Sequence, residues 1–292
     1  MLIKGNKTVE IVQAAKAGAW AIGAFNIGDY DTTEIILDAA EEAGAPVLLQ
    51  TGDYFVPGAE HNRMSEAAAD RFMRYVRNRA EMAKVPVGIH LDHCPTFDGC
   101  VRAIQYGASS VMLDASQKPF EENVALTNKV KEICRATNVA LEAEIGHVGG
   151  HPNSAGAIYT DVEGAKAFYD ATGVDMLAVS IGTVHGFYAA EPVLNYERTA
   201  ELRDAIPAPL VMHGSSGLRE DQFKNAIANG ICKVNFATYL QLTAGKAMAD
   251  FLAANPDKPR MGALTGAAHK AGVDYIKMHM EWFGSAGKAA QF

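Results

Sequence analysis

Residues 87–93 read Val87-Gly88-Ile89-His90-Leu91-Asp92-His93, an apolar run that ends in a carboxylic acid and an imidazole and is followed by Cys94-Pro95-Thr96. A run of that length, rich in β-formers and closed by a turn signal, predicts a buried strand over 87–91 whose last polar residues emerge into a loop. Two further histidines stand at equivalent places: His185 in Ile181-Gly182-Thr183-Val184-His185-Gly186, and His213 after Leu210-Val211-Met212. A lone histidine beside an apolar run is ordinarily a hydrogen-bonded core residue. Three at strand ends far apart in sequence can converge only if those strands finish on one face. Three neutral imidazoles are a common catalytic zinc set that leaves one coordination position open.

Outward from this stretch, short apolar runs alternate with longer amphipathic ones. A lead-in helix is expected over 8–18, and the strand-like runs are 21–25, 47–50, 87–91, 110–113, 140–144, 176–180, 210–212 and 231–235. Helix endings are marked by Gly44, Gly107, Gly173 and Gly230, each followed within a few residues by a strand. Eight such units predict an α/β chain folded as a (β/α)8 barrel, one domain over 1–292, with a helical C-terminal extension around Ile276, Met280, Trp282 and Phe283.

Enzymes of this architecture carry their chemistry at the C-terminal ends of the strands. Asn26, Gln50, Asp92, His93, Asp114, Glu142, Glu144, His213 and Asn235 all fall there, with His185 just past the sixth strand. The last three loops, Thr183–Gly186, His213-Gly214-Ser215-Ser216-Gly217 and Asn235-Phe236-Ala237-Thr238, offer glycines, hydroxyls and exposed N–H groups ahead of helices near Glu220 and Thr238. That is the usual phosphate cradle of the fold.

Composition narrows the field. Of 292 residues 49% are hydrophobic and 21% charged, as in soluble globular proteins, and no apolar run approaches the ~20 residues that span a bilayer. The N-terminus Met1-Leu2-Ile3-Lys4-Gly5 lacks a signal-peptide core, so the cytoplasm is the expected compartment. The cysteines Cys94, Cys100, Cys134 and Cys232 show no paired metal spacing and read as reduced thiols. With 26 basic against 34 acidic residues, a net charge of −8 and no basic run, neither nucleic acid nor an anionic membrane is an expected partner.

At these residues the chain resembles the class II, zinc-dependent ketose-bisphosphate aldolases, the fructose- and tagatose-bisphosphate aldolase family. The resemblance runs nearly end to end, through Ala24-Phe25-Asn26, His90–His93, Ser110–Asp114, Phe120–Asn123, Glu142–Gly146, Tyr159-Thr160-Asp161, Ile181–Gly186, His213–Gly217, Lys233-Val234-Asn235 with Ala237-Thr238, and Phe283–Ala289. It implies a barrel that reversibly cleaves a ketose 1-phosphate between C3 and C4, giving dihydroxyacetone phosphate and an aldehyde. His93, His185 and His213 match the zinc ligands, and Asp92 the acid that exchanges a proton with the C4 oxygen. Asp114 and Glu144 match carboxylates that hold a second cation or an alternative zinc position. Asn26, Gly186, Gly214, Ser215, Ser216, Asn235, Ala237 and Thr238 fall in the blocks that bind substrate, or a monovalent cation (Na+ or K+) beside its phosphate. The implied partner is a small sugar phosphate, and the protein is expected to be a homo-oligomer, a dimer or tetramer.

Two departures stand out. The family's mobile loop carries an acid just after Gly-Gly, credited with moving the proton on the dihydroxyacetone carbon, whereas here Gly149-Gly150 is followed by His151-Pro152-Asn153-Ser154. His151 is the nearest titratable replacement and His147 the next; water or a carboxylate from elsewhere is the alternative. After the second strand, Thr51-Gly52-Asp53 places Asp53 where a serine is often found. A carboxylate ~5 Å from a phosphate dianion would be repelled by roughly 6 kcal/mol at an effective dielectric of ~20, disfavouring a phosphorylated aldehyde. Arg260, in a Pro-Arg pair like the one whose guanidinium reaches the far phosphate in the family, often in a neighbour's site, would offset part of this. A companion subunit or sugar-phosphate sensor without catalysis is the alternative that the missing loop acid suits. A zinc-barrel phosphodiesterase is opposed by the acidic charge.

Overall fold

The computed structural model describes residues 5–56, 59, 62–146, 159–186, 188, 191–257 and 259–292. Eight parallel strands close into one barrel in sequence order: β1 (Ile22–Asn26), β2 (Val47–Thr51), β3 (Val87–Cys94), β4 (Ser110–Leu113), β5 (Ala140–Ile145), β6 (Met176–Val179), β7 (Leu210–Met212) and β8 (Ile231–Phe236). The expected strands are all present, with ends shifted by a residue or so, save for β3.

The helices are α1 (Lys7–Gly18), α2 (Tyr30–Ala43), α3 (Glu66–Met82), α4 (Phe97–Gln105), α5 (Phe120–Thr137), α6 (Val162–Thr172), α7 (Tyr196–Ala205), α8 (Glu220–Ala228), α9 (Thr238–Ala254) and α10 (Met261–Trp282). Their starts are written in the sequence. The side chains of Asp29, Ser65, Thr96, Asp161 and Asn195 accept hydrogen bonds from first-turn amides of α2, α3, α4, α6 and α7. Gly44, Gly107, Gly173 and Gly230 all adopt positive φ just past helix ends, the conformation a side chain resists.

α1 closes the N-terminal mouth of the barrel. Its Val9, Ile11, Val12 and Ala15 pack with Ile22, Ala24, Leu48, Met112, Ala140, Met176 and Val211 from the strands. The Asn6 side-chain oxygen caps α1, while its Nδ2 donates to the Ser109 and Asn138 carbonyls at 2.7 Å each. The lower barrel is thus apolar and sealed, and the polar residues of the strands are left in its upper half.

β3 departs from expectation. The ladder with β4 pairs Leu91 with Val111, then slips, and resumes only at Cys94 with Leu113. His93 sits in the bulge with φ +45°, in the left-handed region where histidine is uncommon. Strict alternation would turn Asp92 and His93 to opposite faces; the bulge turns both to the mouth of the barrel.

The C-terminal extension packs α10 against α2 and α9 and returns the chain to the barrel, where Ala21 N–H donates to the Phe283 carbonyl at 2.9 Å. Phe283 stacks on Phe25, and His279 lies among Tyr275, Phe236, Trp282 and Phe223. Among the described residues no helix is long and apolar enough to cross a membrane, and all four cysteines are buried free thiols.

Burial pulls the His279 imidazole down to about 4. The folded state then binds fewer protons than the unfolded chain between the unfolded value near ~6.5 and about 4. Stability contributed by the neutral ring is complete above that upper value and is lost as pH falls through the window, by about 3 kcal/mol. His279→Leu should therefore flatten the acid side of the stability curve, read by urea unfolding at pH 7, 6, 5 and 4. A variant with the parent's slope would show that the ring does not titrate with unfolding.

Candidate active site and metal centre

The three histidines of the sequence meet at the barrel mouth. The ring centroids of His93 and His213 are 4.6 Å apart, His93 and His185 4.8 Å, and His185 and His213 6.0 Å. One ligand nitrogen from each lies within 4.8 Å of the others, and His93, Asp114 and Glu144 satisfy the same limit as a second overlapping set.

The carboxylates around them decide which nitrogen faces inward. His93 Nδ1 donates to Asp114 Oδ2 at 2.8 Å, and the other Asp114 oxygen accepts from the Ser116 amide and hydroxyl at 3.1 and 2.7 Å. His213 Nε2 donates to Glu142 Oε1 at 2.8 Å. With these nitrogens committed, His93 Nε2 and His213 Nδ1 point at each other across 2.8 Å. Two lone pairs at that distance repel, so the two nitrogens share a proton here, at the place a metal ion could take with the rings further apart.

Charge tells the same story. Burial opposes a charge on His93, but the carboxylates of Asp92, Asp114 and Glu144 outweigh it and push the imidazole up to about 10. Burial holds His213 well below the usual range, as a neutral ring. The cluster calls for positive charge at one point and presents nitrogens aimed at it. Tetrahedral zinc, with Zn–N near ~2.1 Å, needs donors about 3.4 Å apart. The donor set fits such an ion once the His93 and His213 nitrogens, now 2.8 Å apart, separate slightly.

Asp92 lies beside this cluster, its Oδ1 3.9 Å from His93 Nε2. Its two oxygens accept from Gln50 Nε2 at 2.8 Å and Asn235 Nδ2 at 2.9 Å, and the second Gln50 N–H reaches Asn26 Oδ1 at 2.8 Å. Burial pushes the Asp92 carboxyl above the ordinary range, against the pull of His93 and Lys233. A raised carboxyl held on both oxygens suits proton exchange with a substrate oxygen.

The cradle residues are gathered too. A Cβ on Gly214 would lie 2.5 Å from the Val184 carbonyl oxygen, so only glycine lets this loop approach the one carrying His185. Tyr188 hydroxyl donates to the Gly214 carbonyl at 2.6 Å, Ser215 hydroxyl to the Asn235 carbonyl, and Ser216 Oγ accepts from the Ala237 amide at 3.4 Å. α9 starts at Thr238 with no side-chain cap and no acid in its first turn, leaving its N–H groups to a ligand.

With this geometry in view, the comparisons with known proteins are decisive. Residues 6–288 match the family model described as fructose-bisphosphate aldolase class-II. The chain belongs to the class II fructose-bisphosphate aldolase family. It is a lyase of that class, whose members are metal-dependent in general. A fructose-bisphosphate aldolase of Geobacillus stearothermophilus is 38% identical over 294 residues, covering 97% of this chain and 98% of that protein. Among solved structures, the YdjI aldolase from Escherichia coli K12 is 34% identical with a TM-score of 0.84, covering 97% of this chain and 98% of its own. Fructose-bisphosphate aldolase of Campylobacter jejuni, at 24% identity and a TM-score of 0.81 over 98% and 96% of the two chains, shares the fold.

Some expected residues are not brought in. Arg260 is exposed at the start of α10, beyond the far end of α9, whose 17 residues span about 25 Å from Thr238. It does not reach the centre of its own chain. His147 and His151 lie outside the described residues. Asp53 is buried next to Tyr54, whose hydroxyl bonds Asn26 and whose ring is covered by the Arg63 guanidinium at 3.9 Å, a cation the sequence reading missed. The sequence places Glu142 and Gln50 at strand ends without a role, and holds Lys233 and His90 only as members of longer matching blocks. The available signal was a lysine inside the apolar run Ile231-Cys232-Lys233-Val234, since lysine is almost never fully buried unless paired.

Asp114→Asn should weaken zinc binding ~10–100-fold by releasing the His93 ring orientation. Competition against a chromophoric chelator reads this directly, and parent-like affinity would remove Asp114 from the centre.

Proposed function

We propose that this class II aldolase reversibly cleaves a ketose 1-phosphate or 1,6-bisphosphate between C3 and C4. The products are dihydroxyacetone phosphate and an aldehyde, glyceraldehyde 3-phosphate where the substrate is fructose or tagatose 1,6-bisphosphate. The observation that carries the reading is the pair of imidazole nitrogens turned toward each other by their carboxylates, with the doubly anchored Asp92 alongside.

His93, His185 and His213 would hold zinc or a similar divalent ion, with Asp114 and Glu144 serving a second position. Such an ion supplies Lewis-acid polarisation of the ketose carbonyl. Asp92 takes the proton from the C4 oxygen in cleavage and returns it in condensation, kept in place by Gln50 and Asn235. Gly186, Gly214, Ser215, Ser216, Ala237 and Thr238 bind the 1-phosphate through loop amides, hydroxyls and the open α9 N-terminus, with a Na+ or K+ ion beside it. Asn26 orients the substrate hydroxyls near Gln50. His151 moves the proton on the dihydroxyacetone carbon, since an imidazole is a side chain suited to proton transfer at neutral pH. Asp53 weighs against a phosphate on the aldehyde half, and Arg63 offsets part of that charge.

Arg260 would act in a neighbouring copy. α9 buries only Leu240 fully, while Leu242 (45%), Leu252 (41%) and Met261 (77%) of the α9–α10 pair stand exposed. A second copy of this chain is the proposed cover, in a homodimer or homotetramer. Met261→Lys with Leu252→Lys should yield a smaller species by light scattering; an unchanged mass would place any interface elsewhere.

The function is tested with a panel of ketose 1-phosphates and 1,6-bisphosphates, reading dihydroxyacetone phosphate in a coupled assay. Chelation should abolish activity and zinc restore it, and Asp92→Asn should lose at least ~10²-fold in turnover while keeping zinc. His151→Ala should lose ~10²–10⁴-fold in turnover and equally in solvent exchange of the dihydroxyacetone phosphate proton. Full activity after verified metal removal would refute the metal reading, and parental exchange in the histidine variant would leave His151 without a role.

A further inference from the structure

Lys233 is wholly buried inside the barrel on β8. Its Nζ donates to Asn235 Oδ1 at 2.6 Å and forms an ion pair with Glu142 Oε2 at 2.9 Å. Each acceptor leads to a different part of the centre. The second Glu142 oxygen accepts from His213 Nε2 at 2.8 Å, and Asn235 Nδ2 donates to Asp92 Oδ1 at 2.9 Å. Asn235 Nδ2 also approaches His213 Nε2 to 3.2 Å, so the two arms touch. β5 and β8 are not neighbours in the barrel order, and it is the four-carbon lysine stem that spans the interior between them.

The direction of every link follows from what an amine can do. Nζ has donors and no acceptor, so the Asn235 amide must turn its oxygen to Lys233 and its NH2 to Asp92. Glu142, engaged at one oxygen by Nζ, keeps the other for the His213 Nε2–H, which leaves Nδ1 facing His93. We infer that Lys233 is the positioning residue that sets both the metal-facing orientation of His213, through Glu142, and the carboxylate-facing orientation of Asn235. The inference rests on the reading of the three histidines as a metal centre. Among the described residues Lys233 bonds Asn235 and pairs with Glu142, and it acts through these two.

The test uses the full chain with Lys233→Met, Asn235→Ala and the two combined. Zinc affinity of Lys233→Met, measured without substrate by chelator competition, should fall 10–100-fold. At saturating zinc its kcat should fall at least ~10-fold with KM within ~3-fold, and the double variant should be no slower than Asn235→Ala, because one arm is being broken twice. A purely structural lysine would give neither the zinc effect in a folded protein nor the non-additivity. Should Lys233→Met not fold, Lys233→Met with Glu142→Gln removes the uncompensated carboxylate and carries the turnover comparison with Asn235→Ala. Parent-like zinc affinity in the single variant, or losses that multiply with those of Asn235→Ala in either background, would overturn the inference. Failure of the parent to bind zinc would overturn the metal reading and this inference with it.

Discussion

Asp92 and His93 are consecutive in a strand, yet both face the same cavity, and the centre exists because β3 breaks its pairing with β4 between Leu91 and Cys94. In an unbroken strand neighbouring side chains point to opposite faces. The bulge adds a residue to β3, carries His93 into positive φ, and delivers an acid and an imidazole to one point with Oδ1 and Nε2 3.9 Å apart. Such backbone persists where the surroundings over-determine it. Here they do so through Asp114 and His213 on the His93 ring and through Gln50 and Asn235 on the Asp92 carboxylate.

Burying so many ionisable groups is costly unless each is paired. The barrel meets this by stacking layers of opposite character. The lower half is apolar and plugged by α1; above it Lys233, Glu142, His90 and Gln50 form a fully buried polar layer; the histidines and Asp92 stand at the mouth. His90 Nδ1 meets the Ser110 hydroxyl at 2.7 Å, and Lys233 pairs with Glu142 and donates to Asn235. The polar layer is therefore a floor for the centre, fixing side-chain directions from below while the loops remain free to serve substrate. Strand-borne groups held this way are more precisely placed than loop-borne ones.

The division between strands and loops also assigns labour. The imidazole nitrogens of His93 and His213 and the Asp92 carboxylate, to which metal binding and proton exchange are proposed, sit on strands or immediately at their ends. The elements proposed to bind the anion, Gly214, Ser216 and the open start of α9, belong to the connecting loops. On the proposed function, an acidic chain would thereby hold a phosphate without a basic patch, helix N–H groups and a metal ion supplying the local positive potential.

Much of this was legible in the sequence. Apolar periodicity and the glycines at helix ends determined eight strand-helix units, because both signals are local: burial of alternate residues and the need for positive φ at a helix terminus. The same locality put Asn26, Asp92, Asp114, Glu144, His213 and Asn235 at strand ends, which in this architecture is the catalytic face. What the sequence could not decide was direction. Whether His93 shares a face with Asp92 depends on a bulge that exists through pairing with β4. Whether Lys233 is an odd residue in an apolar strand or the link between two arms depends on Glu142, 91 positions earlier, standing across the barrel. Whether Arg260 serves its own centre depends on the length of α9. These are distances between segments remote in the chain, and only the closed barrel sets them.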